Sequence, residues 1–195
     1  VTNAGHLLEM STSELVSLAG SESYTEVSIG LAAINALAPL DPSNYKELNA
    51  ETYLLEHARG KNVAMVGHFP FVDRLKPELA NLWVLELDPR AGDIPSEQAP
   101  DYLPKADMVV ITATTLINHT FEGLLSLCKP ASRVMLLGPS TPLSPALFDH
   151  GIDLLCGTIV TDPQTVMLGI SQGASAHQLH HAGAARQVTL HKPSA

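Results

Sequence analysis

The sequence predicts an α/β fold in three layers, a parallel sheet covered by helices on both faces, behind a small helical N-terminal region. Three observations predict it. From Lys61 onward, short apolar runs alternate with stretches of helical pattern, as βαβ units do. The runs are apolar at consecutive positions, as strands buried on both faces require. The first of them, Val63-Ala64-Met65-Val66, ends at Gly67, where the first strand of a Rossmann-like sheet turns toward its ligand. Residues 1–60 then form the helical N-terminal region and residues 61–195 the Rossmann-like α/β domain.

The elements follow in order. Ser11 and Glu14 have capping-box spacing ahead of Leu15, Val16 and Leu18, and Gly20 stops that helix. A second helix is predicted over Thr25 to Ala38, with Val27, Ile29, Leu31, Ile34 and Leu37 apolar and Pro39 ending it. Gly30, Ala32, Ala33 and Ala36 make much of its surface small, so another backbone should approach it closely. Asn49 caps a third helix, Ala50 to Arg59, which Gly60 ends. Strands are predicted at Asn62 to Val66, Leu82 to Leu87, Met108 to Thr112, Arg133 to Leu137 and Leu154 to Ile159. Helices are predicted near Phe71 to Ala80, Leu116 to Cys128, Pro145 to His150 and Pro163 to Gln172. Ser144 and Asp162 each stand as a capping side chain before a proline at the first helical position. Asp88 to Pro104 is too polar and proline-rich for a strand and reads as a long loop or lid.

Composition bounds the function. A chain of 195 residues with 45% hydrophobic content can bury a real core. Eleven basic against twenty acidic residues give a net charge of -9, and no Lys or Arg lies between Arg133 and Arg186. Nucleic acid is therefore not an expected partner, since neutralising phosphates needs clustered cations. No run reaches the roughly 20 apolar residues of a membrane span, and the expectation is a soluble, cytoplasmic protein. Cys128 and Cys156 lack C-x-x-C spacing and read as two buried, reduced thiols.

Ligands of open α/β sheets bind at the carboxyl ends of the strands, which selects the candidate site. The turn after the first strand holds Gly67, His68, Phe69 and Pro70, where a dinucleotide fold would place bare glycines around a pyrophosphate. Two rings and a proline make a poor diphosphate cradle. His68 is the only histidine immediately at a strand's carboxyl end, suited to bind metal or carry a proton. Glu86 lies 19 residues after Gly67, near the spacing at which an acidic residue meets a cofactor ribose. Thr112, Thr114, Thr115 and Asn118 form a polar hinge from strand into helix, and Gly138, Ser140 and Thr141 repeat it one strand over. Both turns could hold a carboxylate or phosphate on a helix N-terminus, or merely cap helices. His177 and His181 could share a helix face suited to a borderline metal, with His180 beside them. They lie past Gly173 in an Ala- and Gly-rich stretch that reads more simply as a solvated tail. No nucleophile elbow, Walker lysine motif or H-E-x-x-H motif occurs, so hydrolase and kinase readings have no support.

Four phrases together resemble one family: Ser28-Ile29-Gly30-Leu31-Ala32-Ala33-Ile34-Asn35-Ala36, Val66-Gly67-His68-Phe69-Pro70, Ile111 to Thr120, and Leu137-Gly138-Pro139-Ser140-Thr141-Pro142. They are similar to the heavy-metal chelation family, formerly domain of unknown function 364, over about residues 5 to 175. The resemblance implies a Rossmann-like domain preceded by a small domain like the N-terminal part of enolase, and the handling of a metal or metal chelate. It also implies that Asn35 supplies a wall of the same cleft. Members usually carry further N-terminal strands, whereas this chain begins near the first helix, so residues 1–60 are expected to be a reduced or truncated remnant of the small domain.

The leading expectation is a protein that binds a metal or an anionic metal chelate at the strand ends, with His68 on a divalent or heavy-metal ion. The hydroxyl turns would hold the chelate's carboxylates or phosphates. One alternative is a nucleotide-dependent enzyme, a methyltransferase or dehydrogenase with Glu86 on the ribose. Another is a non-catalytic interaction module. A homodimer is compatible with any of the three.

Overall fold

In the computed structural model, residues 1–39, 41, 43 and 45–193 are described. One eight-stranded sheet organises them, built from β1 (Tyr45–Lys46), β2 (Asn62–Val66), β3 (Asn81–Glu86), β4 (Ile94–Pro95), β5 (Met108–Thr112), β6 (Arg133–Leu137), β7 (Leu154–Val160) and β8 (Ala185–His191). Their order is β1-β8-β7-β6-β5-β2-β3-β4. The six strands from β2 to β7 are parallel, and β8 and β1 extend one edge antiparallel. From β2 the chain passes to β3 and β4 on one side and then crosses to β5 on the other. The carboxyl ends of β2 and β5 therefore flank a topological switch point, where such sheets open a crevice.

Strand side chains alternate between the faces and so generate two separate cores. Ala64, Val109, Ile111, Val134, Leu136 and Leu155 pack in one layer with Ala99, Leu103, Phe121 and Phe148. Val63, Met65, Val110, Met135 and Leu154 pack in the other with Tyr53, Leu54, Val72 and Leu75. The outer elements are α1 (Thr12–Ser17), α2 (Tyr24–Leu37), α3 (Ala50–His57), α4 (Val72–Leu75), α5 (Ala99–Tyr102), α6 (Thr114–Ile117), α7 (Phe121–Ser126), α8 (Pro163–Ser171) and α9 (Ala176–His181). None of the described helices is long and apolar enough to cross a membrane.

Local signals set the helix starts. The Ser11–Glu14 capping box forms, Asn49 accepts from the Glu51 amide, and Asp162 accepts from the Gln164 and Thr165 amides. Gly30 meets the backbone that the small face of α2 required: a Cβ there would stand 2.1 Å from the Ala19 nitrogen.

Other expectations need correction. The helix over Leu116 to Cys128 is two, α6 and α7, because the Asn118 side chain accepts from the Thr120 amide and hydroxyl, and His119 turns at φ 58°. His119 Nε2 donates to the Ser21 carbonyl at 2.9 Å, tying this corner to the N-terminal helices. Between Phe71 and Ala80 only α4 and a 3₁₀ turn form. Pro145–His150 is 3₁₀, and the Ser144 side chain makes no capping bond. The Asp88 to Pro104 loop carries β4 and α5. The supposed tail beyond Gly173 is α9 followed by β8, which pairs with β7 over seven residues and buries Val188 and Leu190. Its His, Gln and Gly content hid a strand whose inward face is apolar.

Glu26 is the buried anchor of the N-terminal helices. It accepts from the Ser21 hydroxyl at 2.5 Å, and from the Thr2 amide and hydroxyl at 2.7 and 2.9 Å. These donors, Ser21 first, hold its pKa down to about 2 from an ordinary 4.5. A depressed folded pKa stabilises above the ordinary value, so this contribution is complete above pH 4.5 and lost as the pH falls toward 2. Denaturant melts across that window should show the loss, and Glu26→Gln should flatten it; an unchanged slope would refute the anchor.

Candidate functional site

The crevice at the switch point is built on the Gly67 turn. Gly67 sits at φ 107°, and a Cβ there would press on Thr112 at 3.1 Å, so glycine lets the β2 end lie against the β5 end. The next amide, His68 N–H, donates to Glu86 Oε1 at 2.7 Å. Glu86 Oε2 accepts from the Leu87 amide at 3.1 Å. The carboxylate that would meet a ribose in a dinucleotide fold thus covers an amide that a pyrophosphate would need.

His68 Nδ1 stands 2.9 and 3.0 Å from the two carboxylate oxygens of Asp93, whose side chain is 4% exposed. An ionised carboxylate only accepts, so Nδ1 donates and the neutral ring keeps its lone pair on Nε2. Asp93 is itself fixed by accepting from the Arg90 amide at 3.1 Å, across a turn with Gly92 at φ 96°. Sequence reasoning missed Asp93 as a site residue. Its only signal was membership of the polar, proline-rich Asp88 to Pro104 loop, which β4 folds back along β3.

A cavity of about 290 Å³ opens here. Gly67, His68, Phe69, Glu86, Thr112, Thr114, Thr115 and Asn118 line it, joined by the unforeseen Ser96 and Glu97. Two carboxylates and an imidazole line it, and among the described residues no Lys or Arg does. Asp88 is exposed and not part of it. The hydroxyls partly serve their own turn: Thr115 Oγ1 donates to the Thr112 carbonyl at 2.6 Å, while the Thr112 and Thr114 hydroxyls lie 3.0 Å apart. The helix after this turn, α6, has only four residues.

The Gly138 turn does not repeat the arrangement, because residues 141–144 carry no helix and the 3₁₀ turn begins only at Pro145. Ser140 and Thr141 line neither this cavity nor its neighbour. Asn35 Nδ2 donates to the Ser140 carbonyl at 3.0 Å, so α2 is bonded to the turn, but Asn35 lines neither cavity. Asn35 Oδ1 and Thr141 Oγ1 are buried with no partner among the described residues.

A second cavity, about 530 Å³, lies on the other side of Phe69, which borders both. Pro70, Phe71, Arg74, Gly138, Cys156, His177, His180 and His181 border it. Phe69 and Phe71 stack at 5.5 Å, and Arg74 Nη2 donates to Glu51 Oε2 at 2.8 Å. Burial raises the Cys156 thiol to about 11, although the Thr189 hydroxyl donates to it. Cys128 is also raised to about 11 by burial; both are free thiols, Cys156 buried as expected and Cys128 only half-buried. Burial, then His177 and His181, lowers the His180 pKa. The rim expected as one site is therefore two, with Gly138 and Pro70 on the second.

Comparison with known proteins agrees with this architecture. Two family profiles, both described as "Putative heavy-metal chelation", match residues 1–38 and 49–189. An uncharacterised protein of Methanocaldococcus jannaschii is 31% identical over 186 residues, spanning 91% of this chain and 70% of that protein. A crystal structure from Desulfitobacterium hafniense, of unknown function, is 33% identical and superimposes with a TM-score of 0.82 over 96% of this chain and 77% of that one. One from Pyrococcus horikoshii, also of unknown function, shares the fold at 20% identity with a TM-score of 0.83, over 93% and 75% of the respective chains. With its larger part matched by the profile of domain of unknown function 364, the chain belongs to that family.

Proposed function

We propose that the cavity at the β2 and β5 ends binds a metal carried by a small chelator, with His68 Nε2 as the protein's ligand. One observation carries the reading: His68 is oriented by a buried carboxylate, Asp93, in a cavity whose charged groups are otherwise Glu86 and Glu97. A carboxylate on the far nitrogen is the usual support of a metal-binding imidazole, fixing its tautomer and raising its basicity. The acidic lining favours a positive centre over a free phosphate.

The donor set fits a metal that arrives partly ligated. Among the described residues no group of three His, Cys, Asp or Glu is placed to hold an ion. One imidazole adds to a complex whose other positions a chelator fills, and the Thr112 and Thr114 hydroxyls can donate to the chelator's carboxylates. The nucleotide reading is weaker, since Glu86 takes the His68 amide and would repel a diphosphate.

Elemental analysis and native mass spectrometry of the purified protein test this, together with calorimetric titration by Co(II), Ni(II) and Zn(II), each alone and as its neutral iminodiacetate complex. His68→Ala should remove one equivalent of binding. Asp93→Asn should weaken it by about 10–100-fold, as loss of a supporting residue does. Binding unchanged in both variants would refute the assignment, and binding of adenine nucleotides instead would favour the enzyme reading.

A further inference from the structure

We propose that His177 and His181 form a second, independent site for a borderline transition-metal cation, of the class of Zn(II), Ni(II) or Cu(II), facing the cavity at the β6 and β7 ends. Their Nε2 atoms stand 3.1 Å apart, with ring centroids at 4.3 Å and planes at 62°. Metal–imidazole bonds of about 2.0–2.1 Å, meeting at about 90–110°, separate two ring nitrogens by about 2.9–3.4 Å. The observed gap is already the bite of such a pair. In the metal-free pair one Nε2–H donates to the other Nε2, and a cation takes the place of that proton.

The frame holding the pair is tied at both ends. Residues at i and i+4 share a helix face, here on α9. The Ser175–Gln178 capping box fixes its start, Leu179 packs against Gly169 of α8, and its end runs through Ala184 into β8. A free tail would have to order its backbone on binding; this helix is already formed.

Ligand type sets the selectivity. Two imidazoles without a carboxylate suit Zn, Ni and Cu over Mg or Ca. The remaining coordination positions face about 530 Å³ of open cavity, where water or a small ligand completes the sphere. This site is separate from the proposed His68 site, because Phe69 stands between the two cavities.

The test uses the whole chain with Zn(II), Ni(II) and Cu(II) as probes. Wild type should bind one equivalent that a His177→Gln/His181→Gln double variant lacks and His68→Ala retains. Cu(II) at this site should show two imidazole nitrogens in its electron paramagnetic resonance spectrum. His177→Gln alone should weaken binding by about 100-fold, the upper end of what loss of a supporting residue costs, and Zn(II) should raise the Tm of His68→Ala but not of His68→Ala/His177→Gln/His181→Gln. Because the substituted side chains face solvent, the double variant should melt like wild type without metal. Wild-type affinity in the double variant, or loss of this equivalent in His68→Ala, would overturn the proposal. A metal lost only in the double variant would uphold it while refuting the His68 reading.

Discussion

Gly30→Ala should lower stability by about 2 kcal/mol even though it improves helix propensity. Alanine gains about 1 kcal/mol over glycine inside a helix. Against that, the new Cβ would stand 2.1 Å from the Ala19 nitrogen and 2.7 Å from both the Ala19 Cα and the Leu18 carbonyl carbon. All three are backbone atoms, so no rotamer change relieves the overlap and the chain of residues 18–20 must move. Overpacking of this kind costs about 3 kcal/mol, and the clash wins. The damage should concentrate where α1 and its following turn lie on α2. Hydrogen exchange should speed up over residues 12–20 while the β5 and β6 amides stay protected. Stability equal to wild type would mean that the two backbones do not meet this closely.

Leu136→Ala should cost about 4 kcal/mol, within the range for removing a buried leucine side chain. Leu136 is fully buried in the middle of β6, between β5 and β7, in the layer that contains Phe121 and Phe148. Met135 points into the opposite layer with Tyr53 and Leu54, and Met135→Ala should cost about 3 kcal/mol. Large losses from two adjacent residues are expected only for a sheet packed on both faces. Urea denaturation of the two variants checks this, and a loss below about 1 kcal/mol in either would contradict a closed layer on that side.

The parallel strands were legible because each is a local pattern. Asn62–Val66, Met108–Thr112 and Arg133–Leu137 have the bounds that their apolar runs predict, since the residues that form a strand there are consecutive in sequence. The helix starts at Ser11, Asn49 and Asp162 were legible for the same reason, a cap and its amide being two or three residues apart. By contrast β8 was not, because Ala185 to His191 has neither a continuous apolar run nor a regular alternation, and its buried residues Val188, Thr189 and Leu190 are covered where it pairs with β7. The break at His119 rests on the local Asn118–Thr120 turn, but the bond that ties His119 to Ser21 spans 98 residues and no local pattern announces it.

Within the candidate site the division is the same. By itself, the sequence determined which turns reach the carboxyl rim and that the Gly67 turn carries an imidazole in place of phosphate-binding glycines, because periodicity and chain order are local properties. Tertiary structure alone decided the rest. It brought Asp93 to His68 across 25 residues and Asn35 to Ser140 across 105. It also parted the rim at Phe69 and set the His177–His181 pair beside Gly138. Such meetings follow from strand order and from how the layers close on the sheet, and no spacing within one element encodes them.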